Sequence, residues 1–169
     1  MGRPLAYLIT FTCYGSRLPG ADPGSVDRDH NLPSGPYAQP NDSRWQLAQQ
    51  RMTEEPYLLD EQRRQALLEA IQETCSHRGW DLLTAHARTN HVHAVVAADA
   101  KPEAVLHDFK AYATRALNQV EPHRTKRWAR HGSTRYLWTE EGVRQAIRYV
   151  LHGQGEPMAV FPALRQAAP

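Results

Sequence analysis

Few of the features that classify a chain quickly are present in this one. There are two cysteines, Cys13 and Cys75, in 169 residues. Two cannot build a disulfide framework, and their separation is not a zinc spacing, so a reducing compartment fits. No apolar run approaches the roughly 20 residues that cross a bilayer, and the N-terminus lacks the apolar core of a signal peptide. The expectation is a cytoplasmic protein with no membrane partner. Charge excess is missing too: 20 Lys and Arg against 18 Asp and Glu leave +2, so net charge does not announce a nucleic-acid partner. No repeat of fixed period is found. What remains is ordinary for a soluble globular chain, at 41% hydrophobic and 22% charged, and long enough for one domain with a real core.

What the chain does have is Thr89-Asn90-His91-Val92-His93-Ala94-Val95-Val96. The run reads as a buried strand carrying two histidines one residue apart. Strand side chains alternate faces, so His91 and His93 point the same way and Val92 the other. Two imidazoles on one strand face can hold a divalent metal. The same spacing also describes two surface histidines on a half-exposed sheet.

Leu5 to Tyr14 reads as a strand, since Ile9, Phe11 and Cys13 alternate with Thr10, Thr12 and Tyr14. Pro19 to Pro40 is rich in turn formers and reads as loop. Ser43 to Met52 can form a short helix behind Asn41-Asp42-Ser43. Asp60 caps a stronger helix to His77, striped with Leu67, Leu68, Ile71 and Cys75 and followed by Gly79. Trp80 to Arg88 and His91 to Ala98 read as a strand pair. Pro102 opens the next helix, with Val105, Leu106, Phe109, Ala113, Ala116 and Leu117 on its core face. Tyr136 to Trp138 is a short strand, Thr139 caps a helix over Glu140 to His152, and Met158 to Phe161 is an edge strand or docked tail. Strand, helix, two strands, helix, strand, helix suits an α+β, ferredoxin-like split βαβ plan, with a mostly antiparallel sheet and helices on one face. We expect a single domain over residues 1–169 with a Pro/Gly-rich insertion at about 19–58.

Two further stretches carry chemistry. From Lys110 to Arg135 there are seven basic residues (Lys110, Arg115, Arg124, Lys126, Arg127, Arg130, Arg135) against one acid, Glu121. This is either a solvated basic surface or a track for phosphates. On the last helix Val143, Ile147, Val150 and Leu151 form one apolar stripe, and Tyr149 lies off its centre. A tyrosine so placed is a half-buried ring with a wet hydroxyl, or a nucleophile. A phenolate leaves more readily than an alkoxide, so a phosphotyrosine bond can be reopened by a DNA hydroxyl. Tyr112, beside Phe109 and Ala113, is the rival nucleophile or a core tyrosine. His86 and His131 are single histidines that can serve structure or metal. Trp128 and Trp138 can stack bases, though Trp138 reads as core.

These parts together resemble the HUH single-strand endonucleases. Asn90-His91-Val92-His93 resembles their histidine–hydrophobic–histidine signature, and Tyr149-Val150 after Leu137-Trp138-Thr139 is similar to the tyrosine helix of the single-tyrosine transposases. Tyr7-Leu8-Ile9-Thr10-Phe11-Thr12, Phe109-Lys110-Ala111-Tyr112 and His131-Gly132-Ser133-Thr134-Arg135 resemble the REP-associated and insertion-sequence transposases. The resemblance runs from about Leu5 to Phe161. It implies a ferredoxin-like fold, a Mg²⁺ or Mn²⁺ ion, and cleavage of single-stranded DNA at hairpin-bearing ends through a 5′-phosphotyrosine, with rejoining of strands. By it, His91 and His93 are metal ligands and Tyr149 is the nucleophile.

Many members carry the third ligand four residues after the tyrosine, where this chain has Gly153. Gln154 at the fifth position is the preferred substitute, with Gly153 taking the left-handed conformation to re-aim it; His152 is the alternative. Lys110, Arg115, Arg124, Lys126, Arg127 and Arg135 are candidate DNA contacts. A homodimer is one arrangement the resemblance allows, with the tyrosine helix serving either protomer. The competing reading is a hairpin DNA- or RNA-binding module on the same fold that does not cut. A relaxase or replication initiator is disfavoured by the short chain.

Overall fold

The computed structural model describes residues 2–18 and 38–162. Residues 19–37, which make up most of the expected loop, lie outside the described residues. The elements are β1 (Ala6–Thr12), α1 (Asp42–Gln50), α2 (Glu61–Arg78), β2 (Asp81–Ala87), β3 (His91–Ala97), α3 (Pro102–Val120), β4 (Ser133–Leu137), α4 (Glu140–His152) and β5 (Ala159–Phe161). Each expected element is present. Helix starts fall where short polar side chains can take an orphan N–H: Asn41 accepts from Arg44 N at 2.9 Å, Asp60 from Arg63 N at 2.9 Å, and Thr139 from Gly142 N at 3.0 Å.

The five strands run in the order β4-β1-β3-β2-β5, and every pairing is antiparallel. The first four follow the split βαβ arrangement, so the α+β, ferredoxin-like expectation holds. β1 and β3 are central. Their alternation divides the sheet into two unlike faces. Ile9, Phe11, Val92, Ala94 and Val96 face one side, under Leu67, Leu68 and Ile71 of α2 and Val105, Phe109 and Leu117 of α3. Ala6, Val95 and Leu137 face the other side, against Ala146 and Val150 of α4.

Helices on one face therefore describes α2 and α3 but not α4. Two helices already fill the first face, and the apolar stripe of α4 can be buried only on the small apolar patch left on the second. His91 and His93 lie on that second face, because Val92 faces the first.

The segment ahead of α2 is also tied in. Tyr57 and Leu59 are buried, Tyr57 N donates to Tyr14 O at 2.9 Å and Leu59 N to Thr89 O at 2.7 Å. The C-terminal part of the expected insertion thus laces the end of β1 to the β2–β3 hairpin. No helix among the described residues is long and apolar enough to cross a membrane.

Candidate active site

β3 sets the two imidazoles 5.0 Å apart between ring centroids, nearly perpendicular at 78°. β1 flanks them: Thr12 stands opposite His91 and Thr10 opposite His93. Thr10 Oγ1 holds His93 Nδ1 at 2.7 Å, and Asn90 Oδ1 holds His91 Nδ1 at 2.8 Å. A hydrogen bond on one ring nitrogen fixes the ring and commits the other to different work. Thr10 and Asn90 are thus orienting residues that sequence reading did not single out. The signal for one was present, an Asn directly before the histidine pair.

Burial pushes both histidines below their ordinary range. For His93 it acts with the neighbouring His91, against a hydrogen bond to the Gln154 amide that pulls upward, and the result is about 4. For His91 burial again leads, Gln154 opposes it, and Arg88 and Arg17 add to the fall. Both rings are neutral at pH 7, as ligand imidazoles must be. Arg17, just after β1, is a third residue the sequence reading passed over.

α4 brings the remaining members. Tyr149 is 47% exposed, yet its ring centroid lies 5.4 Å from that of His93. Gln154 Oε1 stands 3.4 Å from His91 Nε2. With Asn90 accepting from Nδ1–H, that Nε2 is a lone pair facing another lone pair. Such a pair of atoms suits a shared cation better than a hydrogen bond, and an amide oxygen beside two imidazoles suits a hard divalent ion. The residues therefore fit the ion that the resemblance implies. Among the described residues no group of three or more His, Cys, Asp or Glu gathers, so the candidate ligand set is two imidazoles and an amide. His152 instead lines a groove of about 380 Å³ with Gln145, Arg148, Tyr149 and Gly153.

Gly153 does not act as expected. Its φ is −88°, an ordinary value, so no left-handed turn re-aims Gln154. A glycine is required for space: a Cβ here would come within 2.8 Å of Tyr149 O and 3.0 Å of Tyr149 Cδ2. The missing side chain lets the tyrosine ring lie back over the end of its own helix.

The basic stretch divides. Lys110 Nζ donates to the carbonyls of Ala129 at 3.0 Å and His131 at 2.6 Å, and its burial lowers its pKa. Arg124 pairs with Glu54 at 3.2 Å and lies over the Tyr57 ring. Arg127 is 3% exposed and donates to Asn118 Oδ1 at 2.7 Å and Glu121 O at 2.6 Å. All three side chains make internal contacts, which tie down a turn-rich segment that has few apolar side chains from Pro122 onward. Lys126, Arg130 and Arg135 are exposed. Arg115 is exposed too and stacks on Tyr112 at 4.7 Å.

Tyr112 belongs to α3, on the opposite face from the histidine pair. His86 has both ring nitrogens engaged, by Val150 O and Met158 N, and is no metal ligand. His131 takes φ 73° on the exposed loop beside β1. Gly132 follows it, where a Cβ would meet Thr10 O at 2.7 Å. The tryptophans exchange their expected parts. Trp128 packs edge-on to Phe11 and donates to Thr114, whereas Trp138 is 51% exposed and stacked on Tyr136.

With the geometry in hand, comparison with known proteins adds a family. No curated protein matches the chain. A solved REP-associated tyrosine transposase bound to a REP hairpin is similar at a TM-score of 0.51 and 12% identity, over 90% of this chain and 67% of that one. At such identity the likeness shows the fold alone. The family described as "Transposase IS200 like" matches residues 51–147. That range takes in His91 and His93 and stops short of Tyr149 and Gln154. Since it spans more than half of the sequence, the chain belongs to the IS200-like transposase family.

Proposed function

We propose that the chain is a metal-dependent single-strand DNA endonuclease and transposase that cuts hairpin-bearing DNA through Tyr149 and rejoins the strands. The observation that carries this reading is the 5.4 Å approach of the Tyr149 and His93 rings. An exposed phenol stands beside two neutral imidazoles, each held by a hydrogen bond on Nδ1. The Tyr149 oxygen attacks the scissile phosphorus and gives its proton to solvent, which its exposure allows. The bond from phosphorus to the 3′ oxygen breaks, and that oxygen takes a proton from water. The phosphoryl group stays on Tyr149 as a 5′-phosphotyrosine. In rejoining, a DNA 3′-hydroxyl attacks the same phosphorus and the phenolate leaves.

His91, His93 and Gln154 would hold Mg²⁺ or Mn²⁺, which when bound draws charge from the scissile phosphate. Thr10 and Asn90 keep the imidazoles aimed. Among the described residues, the exposed Arg17, Arg148 and Arg135 are cations available to phosphates on this face; Arg115 and Lys126 remain for more distant contacts. Hairpin-bearing DNA as the partner rests on likeness to the hairpin-bound transposase, an analogy of fold.

The test is covalent capture. Wild type incubated with Mn²⁺ and a pool of hairpin oligonucleotides should form a protein–DNA adduct that maps to Tyr149 by mass spectrometry. Tyr149→Phe should abolish it, and EDTA should do the same. An adduct on Tyr112, or one formed by Tyr149→Phe, overturns the assignment. Hairpin binding without any adduct makes the chain the non-cutting module.

A further inference from the structure

His86 is fully buried in β2 at 0% exposure and is idle in the chemistry above. Its two nitrogens are nevertheless fully used. Nδ1 stands 3.0 Å from Val150 O, and Nε2 accepts from Met158 N at 3.0 Å. Because Met158 N can only donate, Nε2 must be a bare acceptor. The proton then sits on Nδ1 and goes to Val150 O. Val150 O is one of the carbonyls a helix leaves orphaned in its last turn. One neutral ring therefore closes the end of α4 and pins the segment entering β5, joining two pieces of chain eight residues apart.

What lies between those pieces gives the clamp its meaning. Val150 directly follows Tyr149, and Gln154 falls midway between Val150 and Met158. The pairing of β2 with β3 shifts by one residue between Leu82 and Thr84. A one-residue shift exchanges the faces of every residue beyond it. Leu82 still packs on the α2/α3 face and Leu83 on the α4 face. Past the bulge His86 stands opposite His93, on the α4 face. Without the bulge it would point into the larger core, where neither partner could reach it.

We propose that His86 is a positioning residue that holds Tyr149 and Gln154 in register over the histidine pair of their own chain. This rests on the reading of Tyr149 as the nucleophile. The position needs one planar group with a donor and an acceptor. Gln offers both, through its amide N–H and oxygen, whereas Phe fills the space and offers neither. Small misplacements of reacting groups can cost on the order of 100-fold in rate. His86→Phe should lower the single-turnover rate of adduct formation by about 10- to 100-fold while hairpin affinity stays within about threefold, since no DNA contact is removed. His86→Gln should recover most of the rate.

The experiment measures hairpin affinity and single-turnover adduct rate, with Mn²⁺, for wild type, His86→Phe and His86→Gln. It also records the imidazole nitrogen NMR spectrum of the wild type, which should show His86 as the Nδ1–H tautomer with a slowly exchanging proton. A His86→Phe rate equal to wild type overturns the proposal. So does a folded His86→Gln with the rate loss expected of Phe, and so does an Nε2–H tautomer. Should His86→Phe fail to fold, the Gln variant and the tautomer decide. Should the wild type form no adduct, the functional reading is what fails. The clamp is then judged on the tautomer, and on hydrogen exchange at the C-terminal turn of α4, which His86→Gln must leave protected.

Discussion

The two faces of the sheet are built on opposite rules. On the α2/α3 face the inward positions are almost all apolar, and Phe11, Phe109, Ile71, Leu67 and Leu117 are fully buried. On the α4 face the apolar patch is small, and the strand positions beyond it carry Thr10, His86, His91 and His93. The first face excludes water over a wide area, and this supplies folding free energy. The second buries polar groups, each of which must be paired to avoid a penalty. The pairs found there also fix the rings, so satisfying the buried polar groups and organising the site are one act. A strand shared by both faces does both jobs: Val92 is core, and its neighbours His91 and His93 belong to the candidate site.

The comparison breaks if a change on the first face disturbs chemistry directly. Phe109→Ala should produce the largest stability effect, a loss of about 3–5 kcal/mol, from lost burial and the cavity left behind. Denaturant unfolding measures it. Per folded molecule, the adduct rate should stay within about twofold of wild type, since Phe109 and the histidine pair lie on opposite faces of the sheet. A steep fall in rate among folded molecules would mean that the faces are coupled through β1 and β3.

A second test uses pH and sharpens what the α4 face costs. His93 is pushed down to about 4, from an ordinary 6.5, by burial first and by His91 next. Between those values the unfolded chain binds a proton that the folded chain refuses. Stability is thus complete above about pH 6.5 and declines as pH falls towards 4. The gap corresponds to about 3 kcal/mol at about 1.4 kcal/mol per pH unit. Unfolding of the EDTA-treated protein should show this decline, and His93→Gln should flatten part of it. Other groups titrate in the same range, so the difference between the two curves is the quantity to read. Identical slopes would mean that His93 is solvated and free to charge.

The fold was legible because its signals are local. Asp60 and Thr139 announce their helices, Pro102 opens another, and the alternation in β1 and β3 separates the faces residue by residue. The candidate site was legible as far as one strand and one helix could show it, in the i, i+2 histidine pair and in a tyrosine lying off its stripe. Other features depend on partners far away in sequence. Nothing near Arg127 says that Asn118 will accept from it, and nothing near Lys110 says that it will hold the carbonyls of Ala129 and His131. The bulge that turns His86 towards α4 leaves no mark in composition. The face chosen by α4 followed from which surface remained uncovered, a property of the whole domain. Gly153 was read as a conformational signal when its role is space for a ring.

The smallest effects test the division within the basic stretch, where two arginines of equal charge sit in unlike surroundings. Arg127 is buried, with its donors on Asn118 Oδ1 and Glu121 O, whereas Arg135 is exposed on β4. Arg127→Gln strips two acceptors of their donor and should cost about 1–3 kcal/mol of stability. It should leave the salt dependence of hairpin binding unchanged, since a buried guanidinium meets no phosphate. Arg135→Gln should do the reverse. Stability should move by less than about 0.5 kcal/mol, as for most surface changes. The slope of log affinity against log salt should flatten by about 0.7 if the side chain neutralises one phosphate of a single strand. Denaturant unfolding and a salt titration on the same two proteins separate the outcomes. A flattened slope for Arg127→Gln would return the buried arginine to the DNA track. An unchanged slope for Arg135→Gln would leave Arg17 and Arg148 as the cations that meet DNA on the α4 face.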